Sequence, residues 1–179
     1  NAPAVNPGDV IHSDSCGPFR RQRGSFQYLQ AFVDEYSRHV TVFRRASTDA
    51  AGSLGNLREI DMELFNRTGK HIKIFRVDNG SEYDNQLIRT YCKENGIKLQ
   101  FSLPYRHNNA MAERFWRTLI KGAATQIHQS NLPRDFLFEA AMHFNYTRNN
   151  MPGSIQPDIN EYHHNSGEKT PFELYYGKS

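Results

Sequence analysis

Two spacings of apolar residues take turns along this chain. "HVTVFRR" (39–45) alternates apolar and polar positions at a step of two, and "FQYLQAFVD" (26–34) before it is rich in aromatics and ends in Asp34. With "EYSR" between them, these stretches predict a hairpin. "DVIHSD" (9–14) reads as a short strand ending on Asp14, and "CGPFRRQRGS" (16–25) as the turn that follows it. The opening therefore predicts an antiparallel three-strand meander. The period then changes. Leu54, Leu57, Ile60, Met62, Leu64 and Phe65 fit a helix over 51–67, with Ser47, Thr48 or Asp49 as its cap and Gly69 as its stop. "IKIFRVD" (72–78) is a fourth strand and "NQLIRTYCKEN" (85–95) an amphipathic helix stopped by Gly96. "IKLQFS" (97–102) is a fifth strand. From about Ala110 to Gln129 a long helix carries Ala112, Trp116, Leu119, Ala123 and Ile127, and 132–150 predicts another with Pro133 in its first turn.

This order of elements predicts an α/β fold, a mixed five-stranded sheet flanked by helices. The expected organisation is an N-terminal extension over 1–8, a core over 9–150, a polar excursion over 151–169, and a short helix capped by Thr170 within 170–179. At 179 residues the chain is long enough for one domain with a real core, and its ends read as those of a segment from something longer. The net charge of +3 permits a polyanionic partner without demanding one. Cys16 and Cys92 have no metal-type spacing and read as ordinary thiols. No apolar run approaches the roughly 20 residues that cross a bilayer, so no membrane partner is expected and the protein reads as soluble and intracellular.

Charge and period together single out three acids. Asp14 closes the first predicted strand, Asp78 closes the fourth, and Glu113 opens the long helix. If the two strands are neighbours, both aspartates emerge at one edge of the sheet, where sites in open α/β sheets lie. Glu113, Arg117 and Lys121 follow one another at i+4 beside the core stripe. An acid at the head of a basic row makes sense where the acid holds a metal ion and the row receives a polyanion. Hard oxygen ligands favour Mg²⁺, with Mn²⁺ as a substitute. Two such ions about 3.5–4 Å apart suit in-line displacement at phosphorus.

"HSDSCGPF" (12–19), "FVDEYSR" (32–38), "VDNGSEYDN" (77–85), "CKENGI" (92–97), "AERFWRTL" (112–119) and "KTPFELYYGK" (169–178) occur in order. Together they resemble the catalytic core of copia-type retrotransposon integrases, kin to retroviral integrases. The resemblance implies a ribonuclease-H-like fold and a catalytic, metal-binding triad of Asp14, Asp78 and Glu113. It also implies an enzyme that trims the 3′ ends of element DNA and joins them to target DNA, acting on double-stranded DNA as a homo-oligomer in the nucleus, after a cytoplasmic particle stage before import. The loop "YRHNNAMAE" departs from the family pattern: it is one residue shorter, with Ala110 where a glycine is usual.

Arg114, Arg117 and Lys121 are candidates for DNA-backbone contact, with His107 and Asn79 as further possible DNA contacts. Asp34 reads as turn chemistry, Glu82 as an acid that faces solvent or pairs with a nearby base, and Trp116, Phe136, Phe138 and Phe144 as core or interface. His163 and His164 have no Cys partners for a zinc site. The basic turn "RRQRG" (20–24) is either a solvated tip or a phosphate grip. Two alternatives to the integrase stay open: a DNA-binding scaffold that has lost catalysis, and a ribonuclease-H-like nuclease that cuts without joining.

Overall fold

In the computed structural model, which describes residues 3–20, 22–102, 110–152 and 169–177 apart from the Ala110 side chain, five strands form one sheet in the order β3-β2-β1-β4-β5. The strands are β1 (Val10–Cys16), β2 (Tyr28–Asp34), β3 (Val40–Arg45), β4 (Ile74–Val77) and β5 (Lys98–Phe101). β1, β2 and β3 pair antiparallel, as the meander predicts, while β4 and β5 join parallel to β1 and to each other. One expectation needs correction. β1 does not end at Asp14 but runs two residues further, so Asp14 lies inside the strand, opposite Ala31.

Helices cover both faces. α1 (Ala50–Thr68) and α2 (Gln86–Glu94) lie on one, where Ile11, Phe32, Phe75 and Val77 from the strands meet Leu57, Ile60, Leu64 and Ile88. α3 (Ala110–Gln129) and α4 (Leu137–Asn149) lie on the other, where Leu29, Ala31, Val33, Val40 and Val42 meet Phe115, Trp116, Leu119, Ala123, Phe138 and Ala141. The alternation of β2 is what divides the cores: Leu29, Ala31 and Val33 point one way and Phe32 the other. Burying each large side chain in these layers contributes about 1.5–3 kcal/mol.

Local chemistry sets the ends. The Asp49 carboxylate accepts from the Gly52 amide at 2.7 Å and caps α1, and the Asn85 side chain accepts from Ile88 N at 3.0 Å and caps α2. The final helix, α5 (Pro171–Tyr176), has the reciprocal Thr170–Glu173 capping box. The predicted helix over 132–150 starts later than its apolar pattern suggests. A 3₁₀ turn over Arg134–Phe136 precedes α4, because Pro133 is still extended. Asp34 plays the turn part expected of it, its carboxylate accepting from Ser37 N and Oγ at 2.7 Å each, and beyond that it accepts from the distant Gly8 N at 2.8 Å. Those bonds also tie in the segment before β1, whose Ala4 is buried and whose Gly8 carbonyl accepts from Lys73 N. Among the described residues no helix is long and apolar enough to cross a membrane. Cys16 and Cys92 are free thiols. The excursion, including His163 and His164, lies outside the described residues over 153–168.

Candidate active site

Strand pairing builds the site. β1 and β4 run parallel with Val10 opposite Ile74, Ile11 opposite Phe75 and His12 opposite Arg76. Two positions further along that register, Asp14 stands level with Asp78, the residue just after β4. Because side chains alternate, Asp14 and His12 share the α3 side of β1, while Ile11 and Ser13 face α1 and α2. Below the acids, Glu35 Oε2 lies 2.8 Å from His12 Nε2 and accepts from Arg76 Nη1 at 3.0 Å, which bridges the two strands at that level.

Each aspartate is held by the backbone that follows it. Asp14 Oδ1 accepts from Ser15 N at 2.9 Å, and Asp78 Oδ1 accepts from Gly80 N at 2.9 Å. The glycine has a steric reason: a Cβ on Gly80 would sit 2.9 Å from Asp78 Oδ1 and 3.2 Å from Glu82 Oε2. A side chain at this position would therefore push the Asp78 or Glu82 carboxylate aside.

Electrostatics mark the pair as unusual. The Asp14 carboxyl is pushed up to about 6, first by burial and then by the negative charge of Asp78. The Ser15 amide and the Trp116 indole pull the other way, and Glu82 adds a smaller upward push. Trp116 is buried, and among the described residues its Nε1–H closes no full hydrogen bond, yet it lies near enough to Asp14 to favour the ionised form. Two half-buried carboxylates that repel each other favour a cation between them. Their hard oxygens suit Mg²⁺ or Mn²⁺ better than a thiol-seeking metal.

The other predicted residues fall into place unevenly. Glu113 lies in the first turn of α3 and is exposed, as are Arg114, Arg117 and Lys121. The charge of Arg114 acts on Arg38. Among the described residues, no three or more His, Cys, Asp or Glu side chains form a group that could hold a metal ion. The structure thus brings Asp14 and Asp78 together and leaves Glu113 exposed on the helix. Asn79 is exposed, with its Nδ2 3.5 Å from the Ser102 carbonyl. His107 lies outside the described residues. The basic turn leans on the start of the α4 region, with the Arg23 guanidinium 4.3 Å from the centre of the Phe136 ring.

Two participants escaped the sequence reading. Glu82 is not simply solvent-facing: it is half-buried, beside Gly80, and its charge reaches Asp14. Trp116 belongs to the core stripe but also presents its indole to Asp14. For Trp116 a signal existed, three residues after Glu113 on the same helix. For Glu82 there was none, because its position depends on a turn wound by Tyr83 N and Asp84 N, which both donate to the Gly80 carbonyl.

A five-stranded mixed sheet with helices on both faces and acids side by side on its central parallel strands, Asp14 inside β1 and Asp78 just past β4, defines the ribonuclease-H-like class. Residues 4–107, more than half of the chain, match the family described as "Integrase core domain", and the chain belongs to that family. It is 29% identical over 150 residues to the retrovirus-related Pol polyprotein from transposon TNT 1-94 of Nicotiana tabacum. That match covers 83% of this chain and 11% of the polyprotein, so the chain spans about a tenth of its relative's length. Among solved structures, it is similar to a chain of the simian T-cell lymphotropic virus intasome in complex with PP2A regulatory subunit B56 gamma. There the TM-score is 0.74 at 18% identity, covering 98% of this chain and 56% of that one. It is also similar to the HTLV-2 integrase catalytic core domain in complex with magnesium, in trimeric form. The TM-score is 0.67 at 16% identity, covering 96% of this chain and 98% of that one. Both likenesses concern the fold.

Proposed function

We propose that this integrase core is a metal-dependent polynucleotidyl transferase that trims the 3′ ends of retrotransposon DNA and joins them to target DNA. The observation that carries this reading is the level placement of Asp14 and Asp78 on adjacent parallel strands, with the Asp14 carboxyl pushed up to about 6. In this reading Asp14 and Asp78 hold divalent cations, and Glu113 on the first turn of α3 completes the donor set. When bound, Mg²⁺ or Mn²⁺, as a pair, supplies Lewis acidity at a phosphodiester and favours an oxygen nucleophile. Water would be that nucleophile in trimming and a DNA 3′-hydroxyl in joining.

The chain's own residues do the rest. The amides of Ser15 and Gly80 fix the two carboxylates, so that neither has to reorganise on binding. Arg117 and Lys121, exposed on the helix that carries Glu113, offer positive charge to the phosphate backbone, with Arg114, Asn79 and His107 as further contacts. The partner is double-stranded DNA, both element ends and target. Joining two ends to one target calls for more than one active site, hence a homo-oligomer, and chromosomal target DNA puts the reaction in the nucleus. The trimeric core and the intasome named for the structural relatives support assembly and DNA engagement as the setting.

The test is strand transfer with labelled element-end DNA in Mg²⁺ or Mn²⁺. Asp14→Asn, Asp78→Asn and Glu113→Gln each abolish joined product while circular dichroism and melting stay those of a folded chain. Joined product from Glu113→Gln removes that residue from the donor set. Cleavage without joining points to a nuclease, and DNA binding without product under either metal points to a scaffold.

A further inference from the structure

Behind Asp14, on the opposite face of the sheet, the hydroxyl of Tyr83 meets the strand from below. Tyr83 belongs to the turn that follows Asp78 and is fully buried at 0% exposure. Its oxygen lies 2.9 Å from Ser13 Oγ and 3.4 Å from Ser15 Oγ, the two residues that flank Asp14. It also accepts from Gln30 Nε2 of β2 at 3.1 Å. The Gln30 amide oxygen accepts in turn from Asn56 of α1 at 2.7 Å, so the tie continues into the helical layer. The Tyr83 ring packs edge-on against Phe75 of β4, with centroids 6.2 Å apart.

We infer that Tyr83 is the positioning residue that sets the spacing between Asp14 and Asp78. The turn from Asp78 to Asn85 carries both Asp78 and Glu82, and its carboxylates repel Asp14 across the top of the sheet. Repulsion alone would swing that turn away from β1. Inside the turn, the Gly80 carbonyl accepts from Tyr83 N at 2.9 Å and from Asp84 N at 2.8 Å, so the segment is wound together by its own hydrogen bonds. Where Tyr83 is anchored, the carboxylates are anchored. The anchor takes hold of Ser13 and Ser15, on the far side of the residue that must not drift. Supporting groups of this kind typically change metal affinity by about 10- to 100-fold without touching the ion. Removing the hydroxyl also leaves Ser13 Oγ and Gln30 Nε2 short of a partner in the interior.

This inference rests on the reading of Asp14 and Asp78 as ion-holding carboxylates, and the experiment separates the two. Mn²⁺ binding is measured by calorimetry for the unaltered chain, for Tyr83→Phe and for Tyr91→Phe. Amide exchange over residues 78–85 is followed in parallel. Tyr91 is a buried tyrosine on α2 whose hydroxyl donates to Asp61 at 2.7 Å, away from the acids, and serves as the control for lost stability alone. Tyr83→Phe is expected to weaken Mn²⁺ binding by about 10-fold and to speed exchange in the turn. Tyr91→Phe lowers the melting temperature with both readouts unchanged. Unaltered Mn²⁺ affinity in folded Tyr83→Phe overturns the inference while leaving the site reading intact. If Tyr83→Phe does not fold, Ser13→Ala, which removes one partner from the strand side, decides by the same two measurements. A chain that binds no Mn²⁺ before any substitution overturns the site reading, and the inference falls with it.

Discussion

The imidazole of His39 lies flat on the ring of Tyr175, with centroids 4.6 Å and planes 9° apart. His39 stands at the entry to β3 and Tyr175 on α5, so this stack seats the last described helix against the sheet. Arg67 completes the seat by donating from Nη1 to the Tyr175 carbonyl while its guanidinium lies 4.6 Å from the centre of the Tyr175 ring.

That seat is sensitive to acid. Burial, then the charges of Arg148 and Arg67, hold the His39 imidazole down at about 4, against an ordinary value of 6.5. Between those values the unfolded chain binds a proton that the folded chain refuses, so stability falls as pH drops from about 6.5 towards 4. The loss reaches at most about 3 kcal/mol at the acid end. His39→Phe keeps a stacked ring and removes the titration. Melting curves from pH 4 to 7 are expected to show a shallower acid decline in His39→Phe than in the unaltered chain.

Gly122 is the contact point of α3 with α4. A Cβ there would lie 2.2 Å from Phe144 Cε2, so the ring occupies the space an alanine needs. Gly122→Ala gains helix propensity but forces Phe144 out, for a net loss of about 1–3 kcal/mol. Pairing it with Phe144→Leu should recover part of that loss. Denaturant unfolding of the two single variants and the double variant measures this coupling.

Arg117 and Lys121 are exposed one turn apart on α3. If both meet phosphates, Arg117→Ala with Lys121→Ala weakens DNA binding for any sequence. The slope of log affinity against log salt should then fall by about 2, close to 1 for each contact. Fluorescence anisotropy across a salt series reads this directly. An unchanged slope removes these residues from the interface.

Asp78 imposes a cost on the metal-free fold because its charge is second only to burial in disfavouring an ionised Asp14. Asp78→Asn is therefore expected to raise the melting temperature at pH 7 without divalent ions, while abolishing strand transfer. The same substitution should shrink the stabilisation that added Mn²⁺ gives. Thermal melts with and without Mn²⁺ compare the two effects.

Much of this molecule is written locally. The stripe Ala112, Trp116, Leu119, Ala123 and Ile127 is buried throughout, and that spacing alone fixed the inward face of α3. The roles of Asp49 and Thr170 as caps and of Asp34 in the hairpin turn also follow from a few neighbouring residues. Elements of this kind are legible because their hydrogen bonds close within one turn of chain. The delayed start of α4 was harder to read, since apolar spacing continues through Pro133 while the backbone there stays extended.

The sequence by itself determined which segments are strands and helices, which faces of them are apolar, and which acids stand near strand ends and helix starts. Tertiary structure alone decided that β1 lies between β2 and β4. That pairing sets Asp14 beside Asp78, turns Glu82 towards them, and brings the Tyr83 hydroxyl under the strand from the other face. The physical reason is range. Periodicity is set by residues within a few positions of one another, whereas the repulsion that lifts Asp14 and the bonds that steady it act between residues tens of positions apart, and exist only once the strands have chosen their neighbours.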